Sequence, residues 1–145
     1  ITSIHLLRLF EKIYISHYVN DELVKYNVKN LPKHLDLRIV NKNQVALLSE
    51  KYDLAIAETS IIWLCKALKT PLFLTDDLSA REVSAQLDIK PIGTVGIITR
   101  CFREGLVNKE ETIKLLKELY TKSSLFITSE LIDYAILEIK KFKLR

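Results

Sequence analysis

Residues 71–107 read PLFLTDDLSAREVSAQLDIKPIGTVGIITRCFREGLV. Behind Pro71, the run Leu72-Phe73-Leu74-Thr75 is apolar on both sides, as in a strand buried between two layers. Asp76 and Asp77 follow it, and Leu78 to Leu87 then has helical spacing. Ile89 to Ile92 is a second short strand, interrupted by Pro91. Thr94 is expected to cap a helix running to Glu104, with Gly105 ending it in the left-handed conformation. Strand, helix, strand, helix in this order predicts parallel strands covered by helices. In such sheets, ligands gather beyond the carboxyl ends of the strands.

The flanking sequence extends the alternation. Ile4 to Phe10 reads as the end of a helix, and Ile13-Tyr14-Ile15 as a short strand. Ser16 is placed to cap a helix to about Tyr26. Leu35 to Val40 alternates like a strand, Asn43 to Lys51 reads as a short helix, and Asp53 is expected to cap a longer helix from Leu54 to Leu68. Asn108 and Glu111 have capping-box spacing before a helix to Tyr120. Leu125-Phe126-Ile127 is expected to be extended. Thr128 or Ser129 then caps a last helix, with Leu131, Ala135, Ile139 and Phe142 along one side.

The chain has 145 residues, 48% hydrophobic and 28% charged. This suits one domain over residues 1–145 with a real core. Glycine and proline number three each, and no linker or repeat divides the chain. No apolar run is long enough to span a bilayer and no signal-peptide pattern opens the sequence, so a cytoplasmic protein is expected. Cys65 and Cys101 fall in predicted helices and read as buried thiols. The formal charge of +4 permits an anionic partner such as RNA. The chain starts at Ile1 and contains no methionine; Ile1 is therefore expected to be a truncation point.

The acidic residues carry the chemistry. Asp76 and Asp77 stand where a strand ends and a helix begins. One suffices as an N-cap, which leaves the other for the strand-end crevice. Leu54, Glu58, Ile61, Cys65 and Leu68 form one stripe of one helix, and Glu58 is its sole charge. A lone carboxylate on an apolar stripe is costly unless it is paired, binds a metal or reaches solvent. Glu22 lies beside the apolar stripe of its helix, while Asp21 groups with His17 and Lys25 on a solvated face. His5, His17 and His34 lack zinc-site spacing, and Gly93-Thr94-Val95-Gly96 is too short for a dinucleotide loop. A set of carboxylates from separate elements suits Mg²⁺ or Mn²⁺. A receiver-type phosphoacceptor is a weaker match, because Gly93-Thr94 stands where its lysine belongs.

Several segments resemble the PIN-domain nucleases, the family that contains the VapC toxins. "LLRLFEKIYISHYVNDEL" is similar to the segment in which a helix leads through a strand to a helix bearing an acid before leucine. "AETSIIWLCKAL" resembles the family's acidic helix, with Ala57 where glycine is usual. Residues 71–107 resemble the Asp-Asp-x-x-Ala-Arg and Gly-Thr-x-Gly signatures of a prokaryotic PIN-like branch, and "FITSELIDYAI" fits that branch.

The resemblance implies a three-layer α/β/α sandwich with a short central parallel sheet, and a metal-dependent cut in RNA. Of the family's acidic quartet, three members carry over to Glu22, Glu58 and Asp76 or Asp77. The fourth ends a first strand that this chain has no residues to match. Activity therefore depends on whether that acid lies upstream; a catalytically inactive binding module is the alternative. Arg81 is placed to orient a carboxylate or meet a phosphate, the plainer alternative being a surface arginine. A sheet edge left open by the missing strand predicts a homodimer or higher oligomer. A toxin-type protein would also take an antitoxin partner.

Overall fold

The computed structural model describes residues 4–122 and 127–142. It divides into two compact units, one formed by Phe10–Ile92 and the other by Ile1–Leu9 together with Gly93–Arg145.

The Phe10–Ile92 unit holds four strands. β1 (Ile13–Ser16) pairs in parallel with β2 (Leu35–Arg38), Ile13 opposite Leu35 and Ser16 opposite Arg38. β3 (Leu72–Leu74) pairs in parallel with β4 (Lys90–Ile92), Leu72 opposite Lys90. The parallel α/β character is therefore as the sequence predicts. The strands form two separate two-stranded sheets, however, and not one. Among the described residues no strand joins β1 to β3, so each keeps an edge without a ladder partner.

Pro91 sits inside β4 without cost because of where the ladder bonds run. Lys90 N–H donates to Pro71 C=O at 2.7 Å and Thr75 N–H to Ile92 C=O at 2.9 Å. Alternate residues of a strand address the same neighbour, so the N–H that proline lacks would have faced the outer edge.

Helices follow the strands. α1 (His17–Lys25) starts directly after β1, α2 (Lys42–Tyr52) follows β2, and α3 (Ile56–Leu68) runs back to β3. α3 packs against both β1 and β3. Its apolar stripe supplies buried Ile62 and Cys65 to a core with Leu54, Phe73, Ala80, Val83 and Ile89. Leu64 packs with Val40 and Val45 in a second cluster. α4 (Leu78–Gln86) connects β3 to β4.

Two caps differ from expectation. Asp53 does not cap α3; it takes the left-handed conformation (φ 52°) that closes α2, and the residue before α3 is Ala55. Aspartate tolerates that conformation better than most residues, and the turn needs it there. Thr94 is the first helical residue of α5 (Thr94–Arg103), with Gly93 in the capping position and no side-chain bond.

The other unit is helical. A 3₁₀ segment (Ile4–Leu9) packs on α5, α6 (Lys109–Lys122) and α7 (Ser129–Lys141) pack on each other, and both touch α5. Gly105 ends α5 at φ 78°. Glu111 N–H donates to Asn108 Oδ1 at 2.8 Å and Leu131 N–H to Thr128 Oγ1 at 3.2 Å, so both caps read from the sequence form. The core contains Leu6, Ile98, Cys101, Phe102, Val107, Leu116, Ile132, Ala135 and Ile139. Ile132 takes the buried place expected of Leu131, which is 46% exposed. Of the extended run expected at 125–127, Leu125 and Phe126 lie outside the described residues.

Both cysteines are buried and free. Burial pushes each thiol above its ordinary pKa. The sign follows from proton count: the folded chain keeps two protons that the unfolded chain releases above about pH 8.5. The stability they contribute is complete below that pH and is lost as pH rises through the folded values. We expect denaturation midpoints to fall above about pH 9, and a thiol reagent to label Cys65 and Cys101 only on unfolding. Rapid labelling of the native protein would contradict this.

Candidate active site

The carboxyl end of β1 and the amino end of α3 are tied together by two serines. Ser16 and Ser60 are both fully buried, and their hydroxyl oxygens lie 2.6 Å apart. Ser60 Oγ donates its proton to Ala57 C=O at 2.5 Å. A hydroxyl carries one proton, so Ser16 donates to Ser60. Ser16 Oγ in turn accepts from Val19 N–H at 3.1 Å, capping α1. One chain of bonds thus closes a helix start, a strand end and a second helix start.

Glu58 lies two residues before Ser60, in the first turn of α3. The helix amino end is a favourable place for a negative charge. Its side chain is half-buried, and Oε2 is buried with no hydrogen-bond partner. That oxygen therefore ends neither in solvent nor on a lysine. It is the acid that the sequence marked as out of place on an apolar stripe.

His17 lies one residue after Ser16. Its ring stacks on Tyr18 with centroids 4.2 Å apart, and both Nδ1 and Nε2 are buried without a partner. The spacing on α1 predicts a solvated face for His17; the structure buries its nitrogens instead. The available signal was position, directly after a strand's carboxyl end.

Asp76 and Asp77 stand beyond the carboxyl end of β3, and both are exposed. Asp77 is the N-cap of α4: its Oδ2 accepts from Ala80 N–H at 2.8 Å. Its own N–H donates to Thr75 Oγ1 at 3.2 Å. Arg81 is half-buried, and Nη1 donates to Thr75 C=O at 3.3 Å. This holds the guanidinium at the strand end beside the two aspartates. Asp77→Ala should cost about 1 kcal/mol in chemical denaturation through loss of the cap, and Asp77→Asn, which keeps an oxygen that can accept the same bond, should cost clearly less. Equal costs would show that the cap is not what Asp77 supplies.

Glu22, on α1, is exposed. Among the described residues, no three His, Cys, Asp or Glu side chains stand close enough together to hold a metal ion. The donor chemistry on offer to a divalent cation is the orphaned oxygen of Glu58, with Asp76 and Asp77 beyond β3. Asp77 spends one of its two oxygens on the cap.

On β2, Asp36 accepts two bonds from Arg38, at 3.1 and 3.0 Å, and pairs with Lys12 at 3.3 Å. The Arg38 guanidinium beside it holds its carboxyl below the usual range. The Lys12 and Arg38 charges both lie 5.3 Å from the Tyr14 ring. With Asp36 held by two cations, this group reads as a brace across β1 and β2.

Among the described residues no helix is long and apolar enough to cross a membrane. No curated protein and no solved structure matches the chain significantly. A family model described as a PIN domain matches residues 1–141. With parallel strands, acids at their carboxyl ends and a match over nearly its whole length, the chain belongs to the PIN-domain family.

Proposed function

We propose that this protein is a metal-dependent endoribonuclease of the VapC toxin type, using Mg²⁺ or Mn²⁺. One observation carries the reading: in a PIN-family chain, Glu58 keeps a buried carboxylate oxygen without a partner in the first turn of α3. Glu58, Glu22 and Asp76 or Asp77 hold the cation directly or through water. When bound, the cation supplies positive charge at the phosphate and lowers the pKa of water. Arg81, held at the strand end by Thr75, meets the phosphate of the RNA. Its fixed fork suits that contact better than a mobile lysine would.

A second reading is a catalytically silent PIN-like module that binds RNA or protein. It is favoured by the lack of any three-ligand group among the described residues and by the exposure of Glu22. Single-stranded RNA incubated with the full-length protein in Mn²⁺ or in EDTA separates the two. Cleavage that needs Mn²⁺ and is lost in Asp76→Asn/Asp77→Asn supports the nuclease. No cleavage, or cleavage indifferent to both, supports the silent module.

A homodimer and an antitoxin belong to the same proposal. The edges of β1 and β3 without ladder partners, together with exposed Leu37, Ile39 and Leu47, support self-association. Sedimentation as a single monomeric species at high concentration would count against the dimer.

A further inference from the structure

Between α2 and α3 the Phe10–Ile92 unit has an open cleft of about 390 Å³. Small-ligand sites commonly measure ~300–1,000 Å³. α2 supplies Gln44, Leu48 and Tyr52, four residues apart on one face. α3 supplies Ile62, Trp63 and Lys66. The walls are apolar and aromatic, and no carboxylate lines them. Trp63 also packs against the Val40, Val45 and Leu64 cluster, which holds its ring in place.

The polar groups of the cleft are set as donors. Trp63 Nε1 donates to Gln44 Oε1 at 2.8 Å. An indole N–H only donates, so this bond turns the amide oxygen to Trp63 and leaves both Nε2 hydrogens for a ligand. Lys66 Nζ donates to the carbonyl of Leu87, which lines the cleft too. An ammonium has three hydrogens, so two remain. Among the described residues no carboxylate pairs with Lys66. A second cation, Lys51 Nζ, stands 5.3 Å from the centroid of the Tyr52 ring. Aromatic walls, spare donors and unmatched positive charge suit a flat ligand that accepts hydrogen bonds and is joined to an anion. An apolar peptide side chain would leave Gln44 and Lys66 unused. A nucleobase offers a π-face and acceptors, and its phosphate carries the charge.

We propose that the α2–α3 cleft is a nucleobase subsite: Trp63 and Tyr52 hold one unpaired base of single-stranded RNA, Gln44 Nε2 donates to it, and Lys66 meets the adjoining phosphate. The inference takes RNA as the partner from the nuclease reading above, and adds which part of it is recognised. Ile62 and Lys66 follow Glu58 by four and eight residues, along one ridge of α3. A strand held at Glu58 thus has the cleft beside it along the same helix.

Trp63 is the single tryptophan of the sequence, so its fluorescence reads the cleft directly. Titration in EDTA separates binding from cleavage. The probes are a single-stranded oligoribonucleotide, its duplex, and an abasic oligomer of equal length that keeps the phosphates. The single strand should quench Trp63, and the duplex and the abasic oligomer should not. By anisotropy of labelled RNA, Trp63→Leu and Gln44→Glu should each weaken binding by about fivefold or more, the low end of what one stacked base contributes. Gln44 is exposed, and Gln44→Glu keeps the acceptor for Trp63 while replacing the donor by a carboxylate. It therefore tests the cleft even where Trp63→Leu loosens the fold. Unchanged fluorescence on RNA binding, equal affinity for the abasic oligomer, or unchanged binding in Gln44→Glu would overturn the inference. Fluorescence moved by anilinonaphthalene sulfonate and not by RNA would mark a groove for a protein's apolar side chains, and overturn it as well. Mn²⁺-dependent cleavage with Trp63 unmoved sinks this inference and leaves the nuclease reading standing. Binding of no RNA at all sinks both.

Discussion

Glu58→Gln is expected to lower RNA cleavage by about 100-fold or more, on the order of what removing one preorganised charge-stabilising group costs an enzyme. The same change should raise stability in EDTA. The wild-type carboxylate keeps a buried oxygen without a donor. An unsatisfied buried polar atom costs about 1–3 kcal/mol. The side chain is only half-buried, and the helix amino end returns part of that cost. A net gain of about 0.5–1 kcal/mol therefore remains for a neutral side chain of the same shape. In saturating Mn²⁺ the order should reverse, because an ion that binds the folded wild type stabilises it by mass action. Urea denaturation with and without Mn²⁺ measures both effects. Loss of activity together with loss of stability in EDTA would make Glu58 a structural residue, and the site reading would fall with it.

Phe102→Ala is expected to be the most damaging single change in the helical unit. Phe102 is 1% exposed, and its ring meets Phe142 edge-on at 5.3 Å between centroids. It stands in the cluster that joins α5, α7 and the 3₁₀ segment. Truncating a buried phenylalanine removes its transfer energy and leaves a cavity, about 3–5 kcal/mol together. That is a large share of the ~5–15 kcal/mol by which a domain is stable. Chemical denaturation should show the loss, and hydrogen exchange should rise first at amides of α5 and α7. A cost below about 1 kcal/mol would mean that the cluster closes around the gap.

Taken together, the two predictions separate the forces at work. Phe102 acts by filling space, and its loss is felt whatever the solution contains. Glu58 lies where the fold tolerates an unmet demand, so its effect changes sign with the cation. A region that gives up stability for a charge in an awkward place is what a binding site requires.

Much of this protein was legible in the sequence because its determinants are local. Ser16, Asp77, Asn108 and Thr128 cap their helices through an N–H two or three residues on, and Gly105 closes α5 through its own backbone freedom. The parallel α/β order follows from alternating short apolar runs and helical stripes. Glu58 was visible because a charge interrupts a stripe. Asp53 and Thr94 were misjudged where two roles compete for one residue: Asp53 serves the end of α2 and not the start of α3, and Thr94 lies one position inside its helix.

The tertiary structure decided what depends on residues far apart in the chain. His17 has the spacing of a solvated face, yet the folded chain buries both its nitrogens, and Ser16 bonds Ser60, 44 residues away in sequence. The division into two compact units leaves no mark in composition, since neither boundary carries a linker. Whether four parallel strands make one sheet or two is decided by which strand lies next to which, and strand order is not written in the strands' own residues. Helix caps are settled within a turn of backbone. Burial of a polar side chain is settled by whichever distant element covers it, as α3 does for Ser16 through Ser60.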